Sequence, residues 1–139
     1  VENIYPDLNL IDLISEKHLA LRRAVGELDG NRLNKTETHI LSILERHEPM
    51  SISEISRRIH ISRQGTHKSI QGLLAQDMIA TTVTKANQRD RNVTITQKGR
   101  DYNHQLLAFK LELEQQIVLR LGEAKISAIK SILSEEWLD

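Results

Sequence analysis

The sequence contains no cysteine, so disulfide staples, thiolate metal sites and thiol-based redox sensing are excluded together. Its aromatic residues are Tyr5, Tyr102, Phe109 and Trp137 alone, too few and too scattered for the base-stacking platform that single-strand binders need. Overall charge is also missing. Nineteen Lys and Arg balance nineteen Asp and Glu, and the total therefore points to neither nucleic acid nor a membrane surface. No apolar run approaches the roughly 20 residues of a membrane-spanning helix. The Val-Glu-Asn start has neither the basic nor the apolar segment of a signal peptide, and because it is not Met a trimmed N-terminus is expected. A cytoplasmic protein without membrane contact is the expectation.

Catalytic signatures are equally lacking. There is no phosphate-binding glycine loop and no H-E-x-x-H. The pairs Glu112 and Glu114, and Glu135 and Glu136, are spaced off a common helical face, which makes them poor acid–base partners. Six histidines are spread without H-x-H or H-x3-H spacing, so neither a metal nor another cofactor is expected. An enzyme is the weakest reading.

What is present is a charge pattern. Between Ser51 and Arg100 nine lysines and arginines stand against three acidic residues, a local charge of +6, and the flanks carry −6. With 139 residues the chain has room for one core and an appended arm. Apolar residues from Leu10 to Val25 recur at helical spacing until Asp29-Gly30-Asn31 ends them. A second helix is expected with Thr36 as N-cap and Ile40, Leu41, Ile43 and Leu44 as its apolar face. Ser51 and Glu54 have capping-box spacing, with Met50 and Ile55 at the staple positions. His60 and Ile61 then lead directly to a second cap at Ser62, so two short helices joined tightly form a helix-turn-helix candidate.

From Ile79 the period changes. Ile79, Thr81 and Val83 alternate, and Val93 to Thr96 are again rich in β-branched residues. The polar stretch Ala86–Asn92 between them reads as the basic tip of a hairpin. Thr96 caps a long helix that Gly122 should break, and a last helix runs to about Trp137. The class expected is mainly α with a small β-hairpin wing: a winged helix-turn-helix domain plus N- and C-terminal dimerisation helices.

Each part has a task on duplex DNA. The helix after Ser62 suits the major groove, and the thin hairpin suits the minor groove. Ser62, Arg63, Gln64, Thr66, His67 and Lys68 are the candidate contacts on the helix. Gln64 can pair bidentately with adenine, Arg63 with guanine or a phosphate, and Thr66 can meet a thymine methyl. Arg89 and Arg91 on the wing are planar, permanently charged donors suited to a narrow minor groove.

On these residues the sequence resembles the multiple-antibiotic-resistance (MarR) regulator family. The resemblance rests on N-K-T-E-T-H-I-L-S-I-L, on S-I-S-E-I-S-R-R-I-H-I-S-R-Q-G-T-H-K-S-I, and above all on R-D-R-N-V-T-I-T-Q-K-G. There Arg89 stands seven residues before Thr96, with Gly99 after it, in the register of the family's Asp-x-Arg, strand and Leu-Thr-x-x-Gly. Arg89 thus takes the place of the family's minor-groove arginine. Two positions depart from the pattern: Asn87 replaces the usual acidic residue, and Asp77 replaces the glycine that ends the recognition helix.

The resemblance implies a homodimeric transcriptional regulator, with residues 1–32 and 100–139 in dimerisation and 33–99 binding double-stranded DNA. Leu8, Ile11, Leu113, Ile117, Leu133 and Trp137 are the candidate dimer contacts, since they add more apolar surface than a slim winged domain can cover. A repressor at a pseudo-palindromic site is the favoured form, because a dimer on a promoter most simply blocks polymerase. A small aromatic acid is the effector class implied, with Tyr5, Tyr102 and Phe109 as candidate liners, although core packing is the favoured role for all three. A constitutive binder without effector, and a winged-helix adaptor that binds protein instead of DNA, stay open as alternatives.

Overall fold

The structure, a computed structural model, describes residues 7–84 and 87–139, with backbone alone for 83–84 and 87–90. Tyr5 lies outside the described residues. Among the described residues six helices and three strands follow one another as α1 (Leu10–Asp29), α2 (Lys35–His47), β1 (Met50–Ser51), α3 (Ile52–Ile59), α4 (Arg63–Ala75), β2 (Ile79–Thr84), β3 (Asn87–Ile95), α5 (Gln97–Leu121) and α6 (Glu123–Leu133). The strands form one antiparallel sheet in the order β1-β3-β2. Among the described residues no helix is long and apolar enough to cross a membrane.

Local chemistry sets the helix ends. Asn34, not Thr36, caps α2: its side chain accepts the Glu37 N–H at 2.9 Å, while the Glu37 carboxylate accepts the Asn34 N–H at 3.0 Å. This reciprocal pairing satisfies two donors at once, which one threonine hydroxyl further along cannot do. Ser51 and Ser62 cap α3 and α4 as expected, each accepting the N–H three residues on. The Thr96 hydroxyl oxygen accepts the Gly99 N–H at 3.1 Å at the start of α5. Gly122, at φ 92, separates α5 from α6. The last helix stops at Leu133, short of Trp137, whose indole N–H turns back to the Ile132 carbonyl at 2.8 Å.

The chain divides into two compact units, Asn31–Leu106 and the pair of segments Val1–Gly30 and Leu107–Asp139. In the first unit, Ile40, Leu41 and Leu44 of α2, Ile55 of α3, Ile70 and Leu73 of α4, Met78 just before β2, and Val93 of β3 are fully buried. Tyr102 and Leu106 join this core, which is why the unit runs past the expected boundary at residue 99. The Arg32 guanidinium lies 5.0 Å above the Tyr102 ring centre, a cation–π contact that seals the core's edge. β1 has no counterpart in the sequence reading. Its two residues pair with Val93 and Asn92, making β3 the central strand.

Glu48 ties this unit together across long sequence distances. One carboxylate oxygen accepts the Ile95 N–H at 2.8 Å and the other accepts the Arg100 guanidinium. Close by, Asn103 donates to the Leu41 carbonyl and to Glu45, and His104 approaches Glu45 at 2.9 Å. Glu48→Ala leaves a strand N–H and a half-buried arginine without their acceptor. It is expected to cost about 1 to 3 kcal/mol by urea denaturation, with Glu48→Gln recovering part because it keeps an acceptor for Ile95.

Among its described residues the second unit has no such interior. Neither α1 nor α6 contains a buried residue, and Leu10, Ile11, Leu19, Leu111, Leu119 and Leu133 are all more than half exposed. Partial burial and then the nearby Arg22 guanidinium hold Lys110 below the usual lysine range.

Candidate nucleic-acid interface

The turn between α3 and α4 is held by its own hydrogen bonds. His60 closes α3 in the left-handed region at φ 56, the Ser56 hydroxyl donates to the Ile61 carbonyl at 2.9 Å, and Ser62 then caps α4. One face of α4, with Thr66, Ile70 and Leu73, is buried. The opposite face presents Arg63, Gln64 and Lys68 to solvent, with His67 half-buried beside them. Gln64 and Lys68 stand one turn apart on a single stripe. Gln71 is exposed on the same stripe, and its helical spacing from Gln64 is the sequence signal that points to it.

Thr66 requires a correction. It has no exposed surface, and its hydroxyl donates to the Ser62 carbonyl at 2.9 Å, so it is not available to a thymine methyl. A threonine in the first turns of a helix readily bonds the carbonyl four residues back, and this one uses its methyl to fill the core. Ser62 is exposed, but its oxygen is already the acceptor of the Gly65 N–H. It serves the helix cap first.

The wing differs from its expected shape. β3 begins at Asn87, so Arg89 and Arg91 lie within the strand and not in a loop joining two strands. Arg91 is exposed; the side chain of Arg89 is outside the described residues, as is that of Asn87. Asp77, the other departure, occupies the left-handed region at φ 58 just after α4. Its carbonyl accepts the Thr96 hydroxyl at 2.6 Å. The position thus keeps its glycine-like conformation, at the modest cost that Asp incurs there.

On the preceding helix Arg57 and Arg58 are exposed in the last turn of α3, where positive charge also suits the helix dipole. The candidate dimer contacts are uncovered in the single chain: Ile11, Leu133 and Trp137 are exposed, Leu8 is at the border of exposure, and Leu113 and Ile117 are half-exposed. Among the described residues no group of three His, Asp or Glu is placed to hold a metal ion.

Two short helices in a tight turn, followed by the β2–β3 hairpin that β1 extends to a three-stranded sheet, define a winged helix-turn-helix protein. Residues 33–90 match the family model described as MarR family. HTH-type transcriptional regulator TcaR of Staphylococcus aureus is 26% identical over 99 residues, which is 70% of this chain and 65% of the relative; the match thus spans just under two thirds of that protein's length. Among solved structures, wild-type MarR from E. coli is similar with a TM-score of 0.77 at 14% identity, covering 91% of this chain and 95% of that one. The S. aureus MepR–DNA complex is similar with a TM-score of 0.73 at 18% identity, covering 92% and 96%. These structural likenesses concern the fold. The segment 33–90 is thus similar to the MarR family, and across most of the chain the likeness to the solved structures is one of fold.

Proposed function

We propose that the protein is a sequence-specific transcriptional regulator of double-stranded DNA that acts as a homodimer on a pseudo-palindromic site. The observation that carries this is the exposed stripe of Gln64, Lys68 and Arg63 on the first turns of α4, opposite a fully packed face. It lies inside the one segment of the chain with a strong positive balance. A helix so equipped reads base edges through Gln64 and Arg63 and neutralises backbone charge through Lys68. A relative in the same fold class has been solved as a DNA complex, which supports the same docking for this chain.

The dimer follows from packing. Helices α1 and α6 bury nothing in a single chain, and three helices with that much exposed leucine and isoleucine call for a covering surface. A second copy supplies it and gives the two recognition helices the twofold relation that a palindrome requires. Repression, by occupying a promoter, is the simplest regulatory outcome. Relief by a small aromatic acid belongs to the same proposal, with Tyr102 filling the core of the Asn31–Leu106 unit and Phe109 half-buried in the other.

Duplexes selected from genomic fragments and titrated by fluorescence anisotropy test the reading. Affinity is expected to fall steeply with salt, by a slope of about −0.9 per phosphate neutralised, and to exceed that for random duplex by about a thousandfold or more. Binding indifferent to both salt and sequence would refute it.

A further inference from the structure

The wing is not a regular hairpin. From Ile79 opposite Ile95 to Thr82 opposite Asn92 the pairing of β2 with β3 keeps one register, and it resumes with Thr84 opposite Asn87. Val83 alone on β2 therefore stands opposite the four residues Gln88–Arg91 of β3. An expansion of this kind leaves backbone unpaired, bends its strand and re-aims the residues it carries.

Its position relative to the sheet's alternation gives it meaning. On β3, Val93 and Ile95 are buried while Asn92 and Thr94 are partly exposed. Period two continued without a break would assign Arg91 and Arg89 to the same face as Val93 and Ile95. The break falls immediately beyond Asn92, before that assignment takes effect. Arg91, the first residue past it, is exposed. The two wing arginines both belong to the expanded segment, and it carries the segment's only acidic residue, Asp90, between them.

We propose that the expansion of β3 is the positioning element of the wing. It takes the segment Gln88–Arg91 out of the sheet's alternation and directs it to the minor groove of the bound duplex. The wing's contribution then depends on backbone placement as well as on cationic charge. A minor groove about 6 Å wide admits a thin segment only at a suitable angle, and the enhanced negative potential of A·T-rich stretches rewards guanidinium groups that reach its floor. The inference rests on the duplex-binding reading above.

Two variants with equal charge and one wing arginine each separate placement from charge. Deletion of Gln88–Asp90 leaves Arg91 opposite Val83 and makes the hairpin regular. The double substitution Arg89→Ala with Asp90→Ala keeps Arg91 and keeps the expansion. On a duplex selected by the wild-type protein, the deletion is expected to bind at least tenfold more weakly than the double substitution. A second route leaves Gln88–Arg91 untouched: three residues, Thr-Ser-Thr, inserted after Val83 give β2 the length to match β3. This variant is expected to lose affinity similarly against wild type, with cross-strand nuclear Overhauser contacts reporting the regular register and an unchanged melting curve reporting the fold. Equal affinity for regular and expanded wings overturns the proposal. If the regular variants bind normally but self-associate, the expansion protects a sheet edge instead. Failure of the wild-type protein to bind any duplex would instead count against the function itself.

Discussion

Gly99→Ala is expected to destabilise the Asn31–Leu106 unit by on the order of 3 kcal/mol or more, read as a lowered urea midpoint followed by circular dichroism. A Cβ at this position would lie 2.2 Å from the Met78 carbonyl oxygen and 2.8 Å from a carbon of Ile95. Neither neighbour can yield cheaply. The Met78 carbonyl accepts the Thr96 N–H at 3.1 Å, and the Met78 N–H itself donates to the Leu73 carbonyl at 3.0 Å. Thr96 in turn links Asp77 to Gly99 through its hydroxyl. One added methyl group therefore pushes on the point where α4 ends, the wing begins and returns, and α5 starts. Loss of the Thr96–Met78 bond adds about 1 kcal/mol to the steric cost. Against a total stability of roughly 5 to 15 kcal/mol for a domain, this is a large fraction.

Gly72→Ala supplies the contrast. Its Cβ would meet the Glu37 carboxylate at 2.5 Å, the far end of a side chain whose other oxygen holds the α2 cap. The helix gains about 1 kcal/mol in propensity when Gly becomes Ala, and the carboxylate can rotate. A change of less than about 1 kcal/mol in either direction is expected. The glycine inside α4 thus marks a close crossing with α2, whereas Gly99 marks a junction that no side chain fits.

The features legible in the sequence are those with a local cause. Ser51, Ser62 and Thr96 act as caps because a hydroxyl three residues before a free N–H is visible in the chain itself, and Gly122 breaks a helix for reasons contained in one residue. The helix-turn-helix follows from two such caps set a short distance apart. β1 was invisible because two residues carry no period. Asn34 and Thr36 both have capping chemistry, and only the returned bond from Glu37 distinguishes them.

The parts of the site that were not legible depend on where the chain goes next. Thr66 reads as an exposed polar residue by type, yet its place between Ser62 and Ile70 on the packed stripe turns it inward. Glu48 looks like a solvated acid until Ile95 and Arg100 arrive from far along the chain. The hairpin itself was plain in the β-branched residues, but its register was not, because nothing in an alternating pattern says that four residues will face one. The arginines were therefore expected at a tip and are found on an expanded strand.

Gln64→Ala is expected to relax sequence preference at one base pair of each half-site, by about 1 to 3 kcal/mol of discrimination, which is roughly five- to 150-fold in competition against duplexes substituted at single positions. Gln64 is exposed in the first turn of α4, so its removal should leave stability within about 0.5 kcal/mol of the parent. The amide both donates and accepts, and its loss affects only the base edge that satisfied both groups. Lys68→Ala, one turn further on the same stripe, should behave differently. A single ammonium carries no base code when it meets a phosphate, so affinity should fall almost uniformly across sequences and the salt slope should shrink by about 0.9. The two substitutions divide reading from anchoring along one helix face. A uniform loss for Gln64→Ala, with preference intact at every position, would move base recognition away from this stripe and onto Arg63 or the wing.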